Sequence, residues 1–412
     1  MSEQYMAKDR KNLLPASGIS TRSIHAGHDT HQDPHRPLIT PIYQTASYAF
    51  DEVEGLWNFY GKKSTRLAEY ARYGTPTQRA LEETLCSLEY AEDCIVMSSG
   101  MNAIATAICG LLGQGDHMVS LREGYRGTFK LFDQHLARFG IGISYSDISL
   151  EAIKAACHAK TKLIFIEVPT NPYLRLVDID ALVQFARERG IYTLVDATFA
   201  SPMNFNALKH GADLVTHSLT KFLNGHNDVI AGAVLGSKEL IEKARSFRNL
   251  FGSNPDPHQC YLISRGIKSF GVRMREHNRS ALGIARFLEA QPQIEKVWYP
   301  LLASHPDHAL AQRLLAGGGG IVSFQVKGKD SSQAAGLAAS THVVEALKIP
   351  TIGASLGGVE SLIHQPSVMS YADMDADARL KEGIHDNLIR FSVGLEDTAD
   401  LIADLKQALA SL

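Results

Sequence analysis

A lysine that closes an apolar strand is the residue here best placed for covalent chemistry. Lys221 lies in HSLTKFLNGHND, residues 217–228, directly after a β-branched run and beside Ser218 and Thr220. An ammonium so close to an apolar strand is costly to keep charged, and desolvation lowers its pKa and frees the lone pair that a Schiff base requires. The plainer reading is a surface lysine at a strand end. Four other features supply what pyridoxal phosphate needs, in a fixed order along the chain. Ser98-Ser99-Gly100-Met101 stops a strand and starts a helix, where free backbone N–H groups and the helix dipole suit a phosphate. Tyr125, in GYRGT, offers a ring to stack on a cofactor and a hydroxyl for proton traffic. Asn171, in EVPTNP, follows a strand at the end where open α/β sheets place ligands. Asp196 ends the apolar run IYTLVDA, placed to keep a pyridine nitrogen protonated and the ring an electron sink. Taken singly, these are also ordinary helix starts, loop residues and caps; what chance does not readily supply is all of them in register.

Such a set must sit on a sheet. Between residues 75 and 235, short β-branched runs alternate with segments of helical period, the pattern of a mostly parallel sheet covered by helices. Strands are expected at 94–97, 117–121, 162–168, 191–197, 213–218 and 230–236, with helices at 77–91, 101–112, 149–159 and 178–190. Beyond Arg248 the rhythm changes: a long helical stretch leads to the glycine run 317–320, the strand IVSFQV and a closing helix at 398–412. The expected organisation is an extended arm over 1–70 that packs on a second subunit, an α/β domain over 71–250 and a smaller α+β domain over 251–412.

At this level the chain resembles the Cys/Met-metabolism group of fold-type I pyridoxal-phosphate enzymes, the cystathionine γ-synthases, cystathionine lyases and methionine γ-lyases. The resemblance runs from SIHAGH at 23–28 to RFSVGLED at 390–397. It implies that Lys221 forms the Schiff base, Asp196 faces the pyridinium nitrogen, Asn171 lies near the ring hydroxyl and Tyr125 stacks on the ring. Gly100, Met101, Ser218 and Thr220 would hold the phosphate. Tyr70 and Arg72, in YARYGTPT, match residues that the family lends to the neighbouring subunit's phosphate site. Arg390 and Ser355, with Asn171 beside them, match the positions that grip the substrate α-carboxylate, a task suited to a guanidinium fork. The segments TKFLNGHNDVIAG, LKIP, HQPSVMSY and GIHDNLIRFSVGLED look most like plant-type cystathionine γ-synthases, which join cysteine sulfur to an activated homoserine. Thr75, Ala197 and Ala354 depart from the family's usual Asn, Asn or Gly, and Glu. The last bears on where a second substrate's amino group would bind.

Composition leaves this reading room. The 412 residues carry 41 Lys plus Arg against 44 Asp plus Glu, a net charge of −3, so no bulk electrostatic term favours nucleic acid or an anionic membrane. Five cysteines without CxxC spacing argue against a disulfide scaffold or a thiolate metal site and fit a reducing compartment. With no apolar run of about 18 residues and no apolar stretch at the N-terminus, the expectation is a soluble cytoplasmic protein. His25, His28, His31 and His35 recur at ligand-like intervals, but in a Pro-rich loop without helical spacing, and no metal is expected. The run Gly317–Gly320 lacks a dinucleotide fingerprint and reads as a close approach before a strand. His226 and Asp228 read as structural residues of the cofactor loop.

The expected activity is γ-replacement of the cystathionine γ-synthase type on an amino-acid substrate, in a homotetramer whose dimers share active sites. A γ-lyase acting on cystathionine, methionine or a canavanine-like amino acid is the alternative. A catalytically silent binding protein is the alternative from another class, and the intact Lys221, Asp196 and Arg390 speak against it.

Overall fold

The computed structural model describes residues 16–27, 35, 37–64 and 68–412. A seven-stranded sheet is built from β1 (Asp93–Met97), β2 (His117–Leu121), β3 (Gly142–Ser146), β4 (Thr161–Glu167), β5 (Tyr192–Asp196), β6 (Leu214–Ser218) and β7 (Gly232–Gly236), in the order β1-β7-β6-β5-β4-β2-β3. Only β7 runs against the others, pairing antiparallel with both β1 and β6. The strands are apolar on both faces because helices cover both. In β1, Cys94 and Val96 join the core beneath the helix Pro76–Glu89, whereas Ile95 and Met97 join the core beneath Gly100–Leu111. Side chains alternate across a strand, so period two divides each run between the layers.

The expected strands and helices form, within a few residues at their ends. The sequence reading did not single out β3 or the helix Lys238–Phe251. In β3 the run GISYS lies at the sheet edge, largely part-exposed, and lacks the continuous apolar signal of a doubly covered strand.

A second sheet holds β8 (Ile294–Trp298), β9 (Ile321–Val326), β10 (Thr351–Ile352), β11 (Leu362–His364) and β12 (Leu388–Ser392), in the order β10-β11-β12-β9-β8, mostly antiparallel. Its core joins Phe324, Ile389 and Phe391 to the helices Phe270–Glu289, Gln333–Ala346 and Thr398–Ala410. The core of the large sheet also takes in Cys260, Ile263 and Ile267 from the helix Pro257–Ile267.

The first 70 residues are not wholly extended. The helix Ile19–His25 packs against Pro76–Glu89 and Phe270–Glu289, with Arg22 buried. A second helix, Val53–Tyr60, places Val53, Leu56, Trp57 and Tyr60 on one stripe by their 3-4-7 spacing, a helical period the reading of the arm passed over. That stripe meets solvent: Val53 is 71%, Trp57 75% and Tyr60 64% exposed. His28 and His31, and with them the four-histidine grouping, lie outside the described residues.

Candidate active site

The carboxyl ends of β1, β2, β4, β5 and β6 point to one edge of the large sheet, and there the second sheet closes over them. Between the two lies a cavity of 1020 Å³. Lined from the large sheet by Gly100, Met101, Tyr125, Asn171, Asp196, Ser218, Thr220 and Lys221, it is completed from the other side by Ser355 and Arg390. Ten of the twelve residues named from sequence therefore share one cavity. Tyr70 and Arg72 do not line it: Tyr70 is 44% exposed, and the Arg72 guanidinium donates to the Tyr73 hydroxyl at 3.0 Å.

Lys221 follows β6 in a turn whose carbonyls are held from behind. Buried Arg273 donates to the carbonyls of Phe222 at 2.7 Å and Leu223 at 3.0 Å. This fixes the lysine stem while Nζ reaches into the cavity and donates to Ser355 Oγ at 2.7 Å. Burial, and secondarily the Arg390 charge, lower its pKa to about 8. Near neutrality an appreciable share of the amine is then unprotonated and nucleophilic.

Asp196 caps β5. Its Oδ1 accepts the Thr198 N–H at 3.0 Å and the Thr198 hydroxyl at 2.5 Å. Burial raises its carboxyl pKa; those two bonds and the nearby His217 imidazole act in the opposite sense, favouring the anion. Thr198 Oγ1 also accepts the Ser218 N–H at 2.9 Å, tying the acid to the next strand.

Above Ser218 stands the first turn of the helix Gly100–Leu111, capped by the Ser99 side chain, which accepts from the Asn102 N–H at 3.1 Å. The N–H groups of Gly100 and Met101 precede the first intrahelical bond and remain free for an anion. Glycine is required at 100, where an added Cβ would stand 2.8 Å from Ser218 Cβ. Thr220 is used locally: its hydroxyl donates to the Ala231 carbonyl at 3.2 Å and accepts the Ala231 N–H at 3.1 Å.

Arg390 comes from β12, where Ile389 and Phe391 enter the core and the residue between them must face the cavity. Its Nη1 donates to Asn171 Oδ1 and its Nη2 to the Ser355 carbonyl, both at 3.1 Å. Its Nε is buried and has no partner among the described residues. Burial lowers its pKa to about 10, so it stays cationic at neutral pH. Ser355 holds φ +96°, a sparsely populated conformation for a side-chain-bearing residue, and the Lys221 and Arg390 bonds both end on it.

The departures have local explanations. Thr75 caps the helix Pro76–Glu89 by accepting the Gln78 N–H at 3.1 Å, a task Thr performs as Asn does. Ala197 is fully buried in the core, and Ala354 lines the cavity. His226 and Asp228 do not pair with each other: each bonds Asn224, His226 at its carbonyl and Asp228 through the Asn224 amide, both at 2.7 Å. At Gly318 a Cβ would lie 2.4 Å from the Tyr299 ring, so the glycine run does mark a close approach. Sequence reasoning missed Thr198, Arg273 and Glu167. Only Thr198, two residues after Asp196, carried a local signal, as an Asx-type partner.

A group with a phosphate, a ring nitrogen and an aldehyde fits these residues. The glycine-floored helix start, the anchored carboxylate and the desolvated amine are each of the right chemistry, and the orphaned Arg390 Nε calls for an anion. The solved structure of metB from Corynebacterium glutamicum superposes with a TM-score of 0.88 at 35% identity, covering 97% of this chain and 99% of that one. Cystathionine gamma-synthase 1, chloroplastic, of Arabidopsis thaliana is 41% identical over 377 residues, 91% of this chain and 66% of that protein's length. L-methionine gamma-lyase of Fusobacterium nucleatum is 39% identical over 407 residues, 97% of this chain and all of that one. With residues 20–410 matched as Cys/Met metabolism PLP-dependent enzyme, the chain belongs to that family and is built as a fold-type I pyridoxal-phosphate enzyme.

Proposed function

We propose that this enzyme carries out γ-replacement of the cystathionine γ-synthase type, joining the sulfur of cysteine to an activated homoserine. The observation that carries it, common to replacement and elimination, is that a desolvated amine and a buried guanidinium face one cavity and are bridged by a single residue, Ser355. An α-amino acid presents its amino group and carboxylate to those two groups.

Bound pyridoxal phosphate supplies an aldehyde for amines and a protonated ring that draws charge from Cα. Asp196, whose anion the two Thr198 bonds favour against the effect of burial, would keep the ring nitrogen protonated. Tyr125 would stack on the ring, and the Gly100 and Met101 N–H groups with Ser218 would receive the phosphate; Thr220 would join them only by turning its hydroxyl away from the Ala231 carbonyl. Arg390 offers Nε and its remaining N–H groups to the substrate carboxylate, while its bonds to Asn171 and Ser355 hold the fork in orientation. The uncharged Lys221 Nζ would take the proton from Cα. The same amine, once it has passed that proton on, would take a second from Cβ so that the γ-substituent leaves with its bonding pair; in replacement a thiol, giving up its own proton, would add at Cγ.

The second reading is γ-elimination, in which no thiol adds. It is favoured by the like identity to a γ-lyase over 97% of this chain and by Ala354, which offers no carboxylate at its own position in the cavity wall for the amino group of a second amino acid. Incubation with O-phospho-, O-succinyl- and O-acetylhomoserine, cystathionine, methionine and canavanine, with and without cysteine, separates the two by mass spectrometry. Cystathionine formed only with cysteine supports replacement. Ammonia and a 2-keto acid formed equally without it support elimination and overturn the first reading.

We also place the enzyme in the cytoplasm as a dimer of dimers with shared active sites. Five free cysteines support a reducing compartment. The exposed stripe of Val53, Leu56, Trp57 and Tyr60 supports a covering subunit, as do Tyr70 and Arg72, which lie outside their own cavity and match residues that the family lends to a neighbouring subunit.

A further inference from the structure

Next to Asp196 stands a second carboxyl that the mechanism above does not use. Strands β4 and β5 pair in parallel with Glu167 directly across from Asp196. Neighbouring strands lie about 4.8 Å apart. Alternation puts both acids on one face, with Phe165 and Leu194 two residues earlier in the same core. Glu167 is buried and lines the cavity. Its Oε1 accepts the backbone N–H of Tyr125 at 2.7 Å, and a Cβ on Gly124 would fall 2.9 Å from that oxygen, so the loop bearing Tyr125 is folded tightly around this carboxyl.

Two buried carboxylates side by side do not both ionise. The surroundings decide which one keeps the proton. Asp196 has two Thr198 donors on one oxygen and His217 on the next strand, itself bonded to Glu89 at 2.5 Å. Glu167 has one hydrogen bond, from Tyr125, and no ion-pair partner among the described residues. The titratable groups that face it are Asp196 on β5, Glu123 in the loop after β2 and the Tyr371 hydroxyl from the small domain, with Arg126 beyond Tyr371. We infer that Glu167 is a positioning residue kept as the neutral acid, which leaves Asp196 as the single anion beneath the cofactor ring while Oε1 fixes the loop that carries the stacking Tyr125. Burial first, and the Asp196 charge second, push the Glu167 carboxyl well above the usual carboxylate range, in line with that geometry.

This inference rests on the assignment of Asp196 to the ring nitrogen, so the test separates the two. In the holoenzyme, infrared difference spectra at neutral pH should contain a protonated-carboxyl C=O stretch that Glu167→Gln removes. Glu167→Gln, neutral and isosteric, should keep the acceptor for Tyr125 and hold kcat within about threefold of the parent. Glu167→Ala, which orphans the Tyr125 N–H, should lower kcat roughly tenfold to a hundredfold with cofactor still bound, and Gln in its place should restore the rate. Absence of the infrared band, or a collapse of kcat in Glu167→Gln that Glu167→Asp reverses, would show that the carboxylate is needed and overturn the inference. Full activity of Glu167→Ala would overturn the positioning role. If instead the parent protein took up no cofactor at all, the reading of Asp196 itself would fail.

Discussion

Thr198→Val isolates the smallest part on which the site's electronics depend. The Thr198 hydroxyl donates to Asp196 Oδ1 at 2.5 Å and accepts the Ser218 N–H at 2.9 Å, so valine of nearly the same shape deletes both bonds while the Thr198 N–H bond at 3.0 Å survives. A hydrogen bond to a charged acceptor contributes about 1.5–3 kcal/mol. At 1.36 kcal/mol per unit this is roughly one to two pKa units. The sign follows from the direction of each influence. Burial already raises Asp196, the Thr198 bonds lower it, and losing the hydroxyl lets it rise again. Asp196 then takes up its proton at a higher pH, and the acid limb of kcat/KM moves toward neutrality by that amount. The orphaned Ser218 N–H adds a stability loss of about 1–3 kcal/mol. Thr198→Ser, which restores the hydroxyl, should recover most of both. The assay is a pH profile of kcat/KM with a cofactor titration on each variant. An acid limb that stays in place in Thr198→Val, with cofactor affinity unchanged, would refute the claim that this hydroxyl holds Asp196 ionised.

Three further outcomes follow from the geometry. Reconstitution of the cofactor-free protein, followed by absorbance, should accelerate as pH rises through about 8 and level off above, because the neutral Lys221 amine is the nucleophile; a rate still climbing at the pKa of a solvated lysine, ~10.4, contradicts the desolvated amine. Arg390→Lys keeps the charge but loses the fork held by Asn171 and Ser355, and should raise the KM for the amino acid roughly 10- to 100-fold while cofactor loading is retained. Arg72→Ala should weaken cofactor retention about tenfold or more without lowering the melting temperature of the cofactor-free protein; unchanged affinity would contradict the shared-site dimer.

Much of the site was legible because its parts lie at the ends of strands whose apolar runs are unmistakable. Lys221 follows DLVTHS, Asp196 ends IYTLVDA and Asn171 follows KLIFIEV, so the periodicity that located the strands also located these side chains. The phosphate turn was legible for a similar reason, as small residues between a strand and a helix. Other features carried no such mark. Glu167 reads as one more polar residue before a loop, and only the register of β4 on β5 sets it opposite Asp196. Arg273 reads as a surface cation on a long helix, but it is buried because the turn after Lys221 leaves carbonyls that need donors. The edge strand β3 and the helix at 53–60 were passed over because one is half exposed and the other presents its apolar stripe to solvent.

The sequence by itself determined the alternation of strand and helix, the chemical types available at the strand ends and, through its motifs, the family. These are local properties: side-chain periodicity, caps and the order of residues along the chain require no knowledge of what lies across a gap. Tertiary structure decided which groups share a field. That Arg390 and Asn171, 219 positions apart, bond across the domain junction, and that Glu167 and Asp196 compete for one proton, follow from burial and from distances of a few ångströms between remote segments. Electrostatic coupling of that kind depends on separation in space and on exclusion of water, and neither is written in the order of the residues.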